Sequence, residues 1–173
     1  MSIEIIKEAI RDIPDFPQKG IIFKDITPVL QSAELFEETV RLLCKPYERA
    51  NINAVAGIES RGFIFGGAMA LHLGCAFIPI RKPGKLPYLT YREEYDLEYG
   101  SDALEIHQDA LSAGKNILLV DDLLATGGTA KAAAKLIEKC GGRVAGIRFF
   151  IELEFLGGIK KLESYKVGSL IRF

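Results

Sequence analysis

The chain has 173 residues, 49% of them hydrophobic, with 22 Lys plus Arg against 23 Asp plus Glu and a formal charge of -1. That length suits one domain of about 50–200 residues with its own core, and the hydrophobic fraction excludes wholesale disorder. Near-neutrality argues against a nucleic-acid partner or a polybasic hold on a membrane, both of which need a clustered positive field, but it leaves room for a small anion in a local pocket of charge.

The opening segment, MSIEIIKEAIRDI, mixes charge with apolar residues, unlike the apolar run of a signal peptide. Its spacing predicts a short amphipathic helix over 3–11, stopped by the region of Pro14 and Pro17, and a second helix over 33–45. Residues 53–59 (NAVAGIE) read as a core strand. The stretch 62–80 carries no formal charge and approaches membrane-spanning length, yet His72, Pro79 and four glycines interrupt it. It reads as a packed helix over 62–73 followed by a strand over 75–80, with Pro79 marking an end or an edge. Residues 86–101 hold four of the six tyrosines, Tyr88, Tyr91, Tyr95 and Tyr99, between Pro87 and Gly100. This polar stretch suits a mobile lid, and an exposed β-hairpin over 88–99 fits it almost as well. Residues 116–122 (NILLVDD) are the clearest strand, 129–140 a helix stopped by Gly141-Gly142, and 144–153 a further strand.

Alternating strands and helices predict an α/β fold, a mainly parallel central sheet flanked by helices in a single domain over 1–173. In such folds ligands sit beyond the carboxyl ends of the strands. Cys44, Cys75 and Cys140 are scattered and lack CxxC spacing, so neither a disulfide framework nor a zinc site is expected, and a reducing cytoplasmic compartment is. His72 and His107 are isolated and read as structural.

The chemistry concentrates after the strand at 116–122. Asp121 and Asp122 lead through Leu123 and Leu124 to Ala125, Thr126, Gly127, Gly128 and Thr129, where a helix begins. Backbone N–H groups, two hydroxyls and a helix N-terminus then face one spot, a cradle suited to a phosphate monoester. It is not a P-loop, because no Lys follows the glycines. The two acids would repel a phosphate, and suit neutral hydroxyls such as those of a ribose.

The run VDDLLATGGT resembles the phosphoribosyl-pyrophosphate motif of the type I phosphoribosyltransferases. Residues 15–17 (DFP) and 20–28 (GIIFKDITP) resemble the base-binding signature of the adenine phosphoribosyltransferases, as do 59–63 (ESRGF), 81–87 (RKPGKLP) and 97–100 (LEYG). These five matches stand in the family's order and span nearly the whole chain. The resemblance implies transfer of a 5-phosphoribosyl group from phosphoribosyl pyrophosphate to adenine N9, giving AMP and pyrophosphate. It implies a small N-terminal hood over 1–32, a flexible lid over 82–103, and no nucleic-acid or membrane partner.

By the same resemblance, Asp121 and Asp122 hold the ribose hydroxyls and Ala125–Thr129 the 5-phosphate. Phe23 and Leu153 sandwich the adenine, while backbone groups near Ile22 and Lys24 read its edge. Some relatives have Arg where this chain has Lys24, and the two side chains are not equivalent. Ser60 and Arg61, after an expected cis peptide at Glu59-Ser60, bind pyrophosphate together with Arg81, Lys82 and Lys85. Pro83 stands where several relatives have another basic residue. Glu98 and Tyr99 close over the site, Glu98 as the acid or base. A magnesium ion held by substrate oxygens and water, with no protein ligand set, and a cytoplasmic homodimer complete what the resemblance implies. The phosphate loop is shared with transferases acting on other purines or orotate, and with regulators that sense the same donor. The N-terminal signature and the lid argue against the first group, and the balanced charge and short N-terminal segment against the second.

Overall fold

The computed structural model describes residues 2–96 and 100–173, with Asp96 described by its backbone alone. Five strands form one parallel sheet in the order β4-β3-β7-β8-β9: β3 (Ala54–Ile58), β4 (Ala76–Ile80), β7 (Asn116–Leu124), β8 (Arg143–Glu152) and β9 (Val167–Arg172). Side chains alternate across a strand, so a sheet covered on both faces needs an unbroken apolar run. In β7, Ile117 and Leu119 enter one core and Leu118 and Val120 the other, all four with no exposed surface.

Helix α5 (Gly128–Lys139) covers the first face, its Ala130, Ala133 and Ala134 allowing close approach to the sheet. Helices α3 (Ala33–Cys44) and α4 (Gly62–Leu73) cover the other, where Phe65 and Met69 are fully buried. Ser32 caps α3 by accepting from Leu35 N at 3.2 Å, and Gly74 ends α4 in the left-handed conformation. Pro79 lies on β4, an edge strand, as its missing N–H requires.

The N-terminal third departs from the sequence expectation. Helix α1 (Ile3–Ala9) stops before the prolines, because Ile10 turns extended and packs its side chain inward. The chain then forms a hairpin of β1 (Arg11–Pro14) and β2 (Ile22–Asp25), with Ile13 opposite Phe23. Pro14 ends β1, and Pro17 follows a cis bond in the turn. The prolines thus shape a hairpin rather than stop a helix. A short helix α2 (Thr27–Gln31) follows.

Strands β5 (Thr90–Asp96) and β6 (Ser101–His107) pair antiparallel in a second two-stranded sheet. The pairing runs on to His107, past the expected 88–99, and Ala103, Leu104 and Ile106 are core residues. The base of this sheet is therefore part of the packed body, tied to α5 where Glu93 accepts from Lys135 at 2.9 Å and Lys139 at 2.7 Å. Strand β9 had no clear signal in the sequence. No helix among the described residues is long and apolar enough to cross a membrane.

Candidate active site

Strands β3 and β7 are neighbours, but β3 leads through α4 to β4 on one side and β7 through α5 to β8 on the other. Their carboxyl ends therefore open a crevice at a topological switch point. Here the β3–α4 turn, Glu59-Ser60-Arg61-Gly62, meets the β7–α5 loop, and the Glu59-Ser60 peptide is cis as expected.

The meeting is close. A Cβ on Gly62 would come within 2.8 Å of Asp121 Oδ1 and 3.1 Å of Val120 O, so only glycine leaves room. Asp121 Oδ1 accepts from Asp122 N at 2.9 Å, and Asp122 is 6% exposed. Arg61 Nη2 lies 2.7 Å from Asp122 Oδ2, a charge contact without an aligned hydrogen bond. Burial, then the neighbouring Asp122 charge, pushes the Asp121 carboxyl well above the usual carboxylate range. Burial also raises Asp122, with Arg61 opposing it.

The guanidinium of Arg61 also lies over the Phe23 ring, 4.9 Å from its centroid. One cation thus spans from Asp122 to the aromatic ring of β2. Phe16 braces the same ring edge-on at 5.2 Å. Ile22 is exposed, and the Lys24 ammonium is turned away to Asp12 Oδ1 at 2.6 Å. The side chain of Lys24 therefore braces the β1–β2 hairpin. Leu153 follows β8 directly, and its N–H donates to Leu124 O at 3.0 Å, beside the loop.

The loop 125–129 behaves as a helix N-terminus should. Gly127 caps α5 with φ +79, and Lys131 N donates to its carbonyl at 3.1 Å. A small cavity is lined by Asp121, Ala125, Thr126, Gly127 and Thr129. Gly158 backs this loop: a Cβ there would meet Ala125 O and would lie 2.9 Å from Gly127 N. Sequence reading missed Gly158, because the contact is tertiary and Gly157-Gly158 reads only as a turn.

The basic residues after β4 are held by another missed residue. Glu59, 8% exposed at its side chain, accepts from Arg81 Nε and Lys82 N, both at 2.8 Å. Burial works against its charge, but the Lys82 N–H and Arg81 outweigh it and hold the carboxyl below its ordinary value. The ESRGF motif contained Glu59, and its position at the end of a buried strand was the signal. Lys82 Nζ pairs with Asp102 at 2.8 Å, whereas Lys85 is exposed and makes no ion pair among the described residues. The structure brings together Phe23, Arg61, Asp121 and Asp122 and the 125–129 loop, and sets Arg81 beside Glu59 at the adjoining strand end. Glu98 and Tyr99 lie outside the described residues.

A family model, the phosphoribosyl transferase domain, matches residues 29–167. An adenine phosphoribosyltransferase from Thermoanaerobacter sp. (strain X514) is 55% identical over 173 residues, 100% of each chain. The chain belongs to the adenine phosphoribosyltransferases. A crystal structure of an adenine phosphoribosyltransferase from Thermoanaerobacter pseudethanolicus superposes with a TM-score of 0.97 at 54% identity, covering 99% of this chain and 100% of that one. The adenine phosphoribosyltransferase of Saccharomyces cerevisiae, complexed with an imino-altritol bisphosphate and adenine, aligns with a TM-score of 0.92 at 40% identity over 97% of each chain. The type I phosphoribosyltransferase fold expected from the sequence is the fold of this adenine phosphoribosyltransferase family member, and β9, missed in the sequence, is part of its sheet.

Proposed function

We propose that the chain transfers the 5-phosphoribosyl group of phosphoribosyl pyrophosphate to adenine N9, releasing AMP and pyrophosphate in purine salvage. The observation that carries the reading is Arg61, which touches Asp122 on one side and the Phe23 ring on the other. A sugar held by the acids and a base held at the ring would then lie side by side at one strand switch, as a glycosyl transfer needs.

The transition state is oxocarbenium-like, with positive charge at the anomeric carbon and negative charge growing on the leaving pyrophosphate. Asp121 and Asp122 accept from the ribose hydroxyls, and their negative charge favours the sugar cation. The backbone N–H groups of Ala125–Thr129 hold the 5-phosphate at the α5 N-terminus. Ser60, Arg61, Arg81, Lys82 and Lys85 stabilise the leaving group. Phe23 and Leu153 sandwich adenine, and the backbone of Ile22 and Lys24 reads its edge. Glu98 manages a proton at the base or the leaving group, and Tyr99 closes with it over the reacting atoms, which excludes water.

Magnesium fits this site as a partner of the substrate. Among the described residues no group of three or more His, Cys, Asp or Glu side chains could hold a metal ion. Its oxygen donors would come mainly from the substrate and from water. The ion would neutralise the departing pyrophosphate charge. A homodimer belongs to the reading too. Leu71, 86% exposed on α4, is an apolar side chain whose burial against a second copy would be favourable, which supports that reading. Three unpaired cysteines support a reducing cytoplasmic location.

The test is the pair Asp121→Ala plus Asp122→Ala. The reading expects turnover of adenine to vanish while the circular dichroism spectrum stays that of the wild type. Turnover surviving in a folded double variant would overturn the role of the loop.

A further inference from the structure

The two walls of the base slot come from distant parts of the chain: β2 of the hood supplies Phe23, and the end of β8 supplies Leu153. Phe173 touches both supports. Its N–H donates to Glu152 O at 2.9 Å, and its carbonyl accepts from Glu154 N at 2.9 Å, so its backbone grips the residues on either side of Leu153. The side chain of the preceding residue adds to the grip, with Arg172 Nε 3.4 Å from Glu152 and Nη1 3.5 Å from Glu154.

The Phe173 ring faces the hood. Lys24 Nζ lies 3.9 Å from its centroid and Lys7 Nζ 4.7 Å, two ammonium groups on one aromatic ring. Lys7 also donates to Arg172 O at 2.8 Å. The Lys24 side chain is only 12% exposed and is fixed from its other side by Asp12, on the partner strand of the hood hairpin. Lys24 follows Phe23 in β2, so where the Lys24 stem is anchored bears on where the Phe23 backbone sits.

We infer that Phe173 is a positioning residue for the base. It ties the hood to the end of β8 through the Lys24 cation–π contact, and so sets the width of the slot between Phe23 and Leu153. The inference rests on the reading of that slot as the adenine site. It gives the Lys24 side chain a task that needs no contact with the base, and explains why an ammonium next to the slot points away from it. The basic residues and the phosphate loop belong to other strand ends, so loosening this tie should weaken adenine binding and leave the phosphoribosyl donor largely unaffected.

The experiment is steady-state kinetics on the full chain, varying adenine and phosphoribosyl pyrophosphate in turn, with thermal unfolding on each variant. Phe173→Leu keeps apolar volume and removes the ring quadrupole; Phe173→Tyr keeps the ring. The leucine variant is expected to raise the KM for adenine about tenfold while the KM for the donor changes less than about twofold, and tyrosine to restore both. Lys24→Met, which keeps the stem and loses the charge, should raise the adenine KM by a similar factor. Combining it with Phe173→Leu should give less than the two single effects together, since the Lys24–ring contact is lost in each. If the leucine variant does not fold, Lys24→Met alone carries the same expectation.

An unchanged adenine KM, equal rises in both KM values, or a fully additive double variant would overturn the inference while wild-type turnover of adenine leaves the function standing. A wild-type chain that turns over no adenine would overturn the function, and this inference with it.

Discussion

Gly62 and Asp121 are packed so closely that a single methyl group at Gly62 would fall 2.8 Å from the Asp121 carboxylate. This contact joins the β3–α4 turn to the β7–α5 loop and fixes how near Arg61 comes to Asp122. Gly62→Ala should therefore lower stability by about 1–3 kcal/mol, as overpacking does. Turnover should fall further than stability accounts for, because Asp121 must shift. Unfolding midpoints beside kcat/KM check this; a variant with wild-type values for both would show that the contact has slack.

The acid pair makes the site costly to the fold. Both carboxyls are raised by burial, so their contribution to stability is fully present below the ordinary carboxyl value of 3.8 and is lost as pH rises through the folded values. At neutral pH the charged pair opposes folding. Asp121→Asn should raise the unfolding midpoint there by about 2–4 °C for each kcal/mol relieved. That gain should fade as pH falls below the ordinary carboxyl range. Activity should drop by about a hundredfold or more, since a charge aimed at the transition state is gone. A midpoint that is lower at neutral pH would mean that the charged pair stabilises the fold.

Glu59 acts with the opposite sign. Its lowered carboxyl stabilises the fold above the ordinary glutamate range, and that contribution is lost as pH falls through the folded value. Glu59→Gln keeps an acceptor for Lys82 N but releases the charge on Arg81. The KM for phosphoribosyl pyrophosphate should rise roughly tenfold, the worth of one charge-assisted hydrogen bond, with the KM for adenine little changed. A rise confined to adenine would place Glu59 in the wrong half of the site.

Gly158 supports the 125–129 loop from behind, where an added Cβ would strike Ala125 O. Neither side can yield without moving the loop's N–H groups, because the contact is backbone against backbone. Gly158→Ala should raise the KM for the phosphoribosyl donor by about tenfold or more, as a small misplacement of a binding group can. Donor kinetics unaffected by the alanine would mean that the loop tolerates the push.

The parts of the molecule that could be read in the sequence are those whose signal is local. β7 shows its unbroken apolar run, α4 its bounds between Gly62 and Gly74, and the acid–glycine loop its chemistry. The hood hairpin was hidden because Pro14 and Pro17 read equally as a helix stop and as a turn. Strand β9 was hidden because Gly168 and Ser169 interrupt a short segment whose burial comes from β8. Glu59, Gly158 and Phe173 owe their roles to residues far away in the chain. Such contacts leave no periodicity.

The central claim is tested most directly by a spectroscopic panel of bases. Adenine, hypoxanthine, guanine, xanthine and orotate would be offered singly and at equal concentration, with phosphoribosyl pyrophosphate and magnesium. The account predicts that adenine is consumed, that AMP forms only when donor and magnesium are present, and that the other bases are turned over far more slowly. Faster turnover of a 6-oxopurine or of orotate would contradict it.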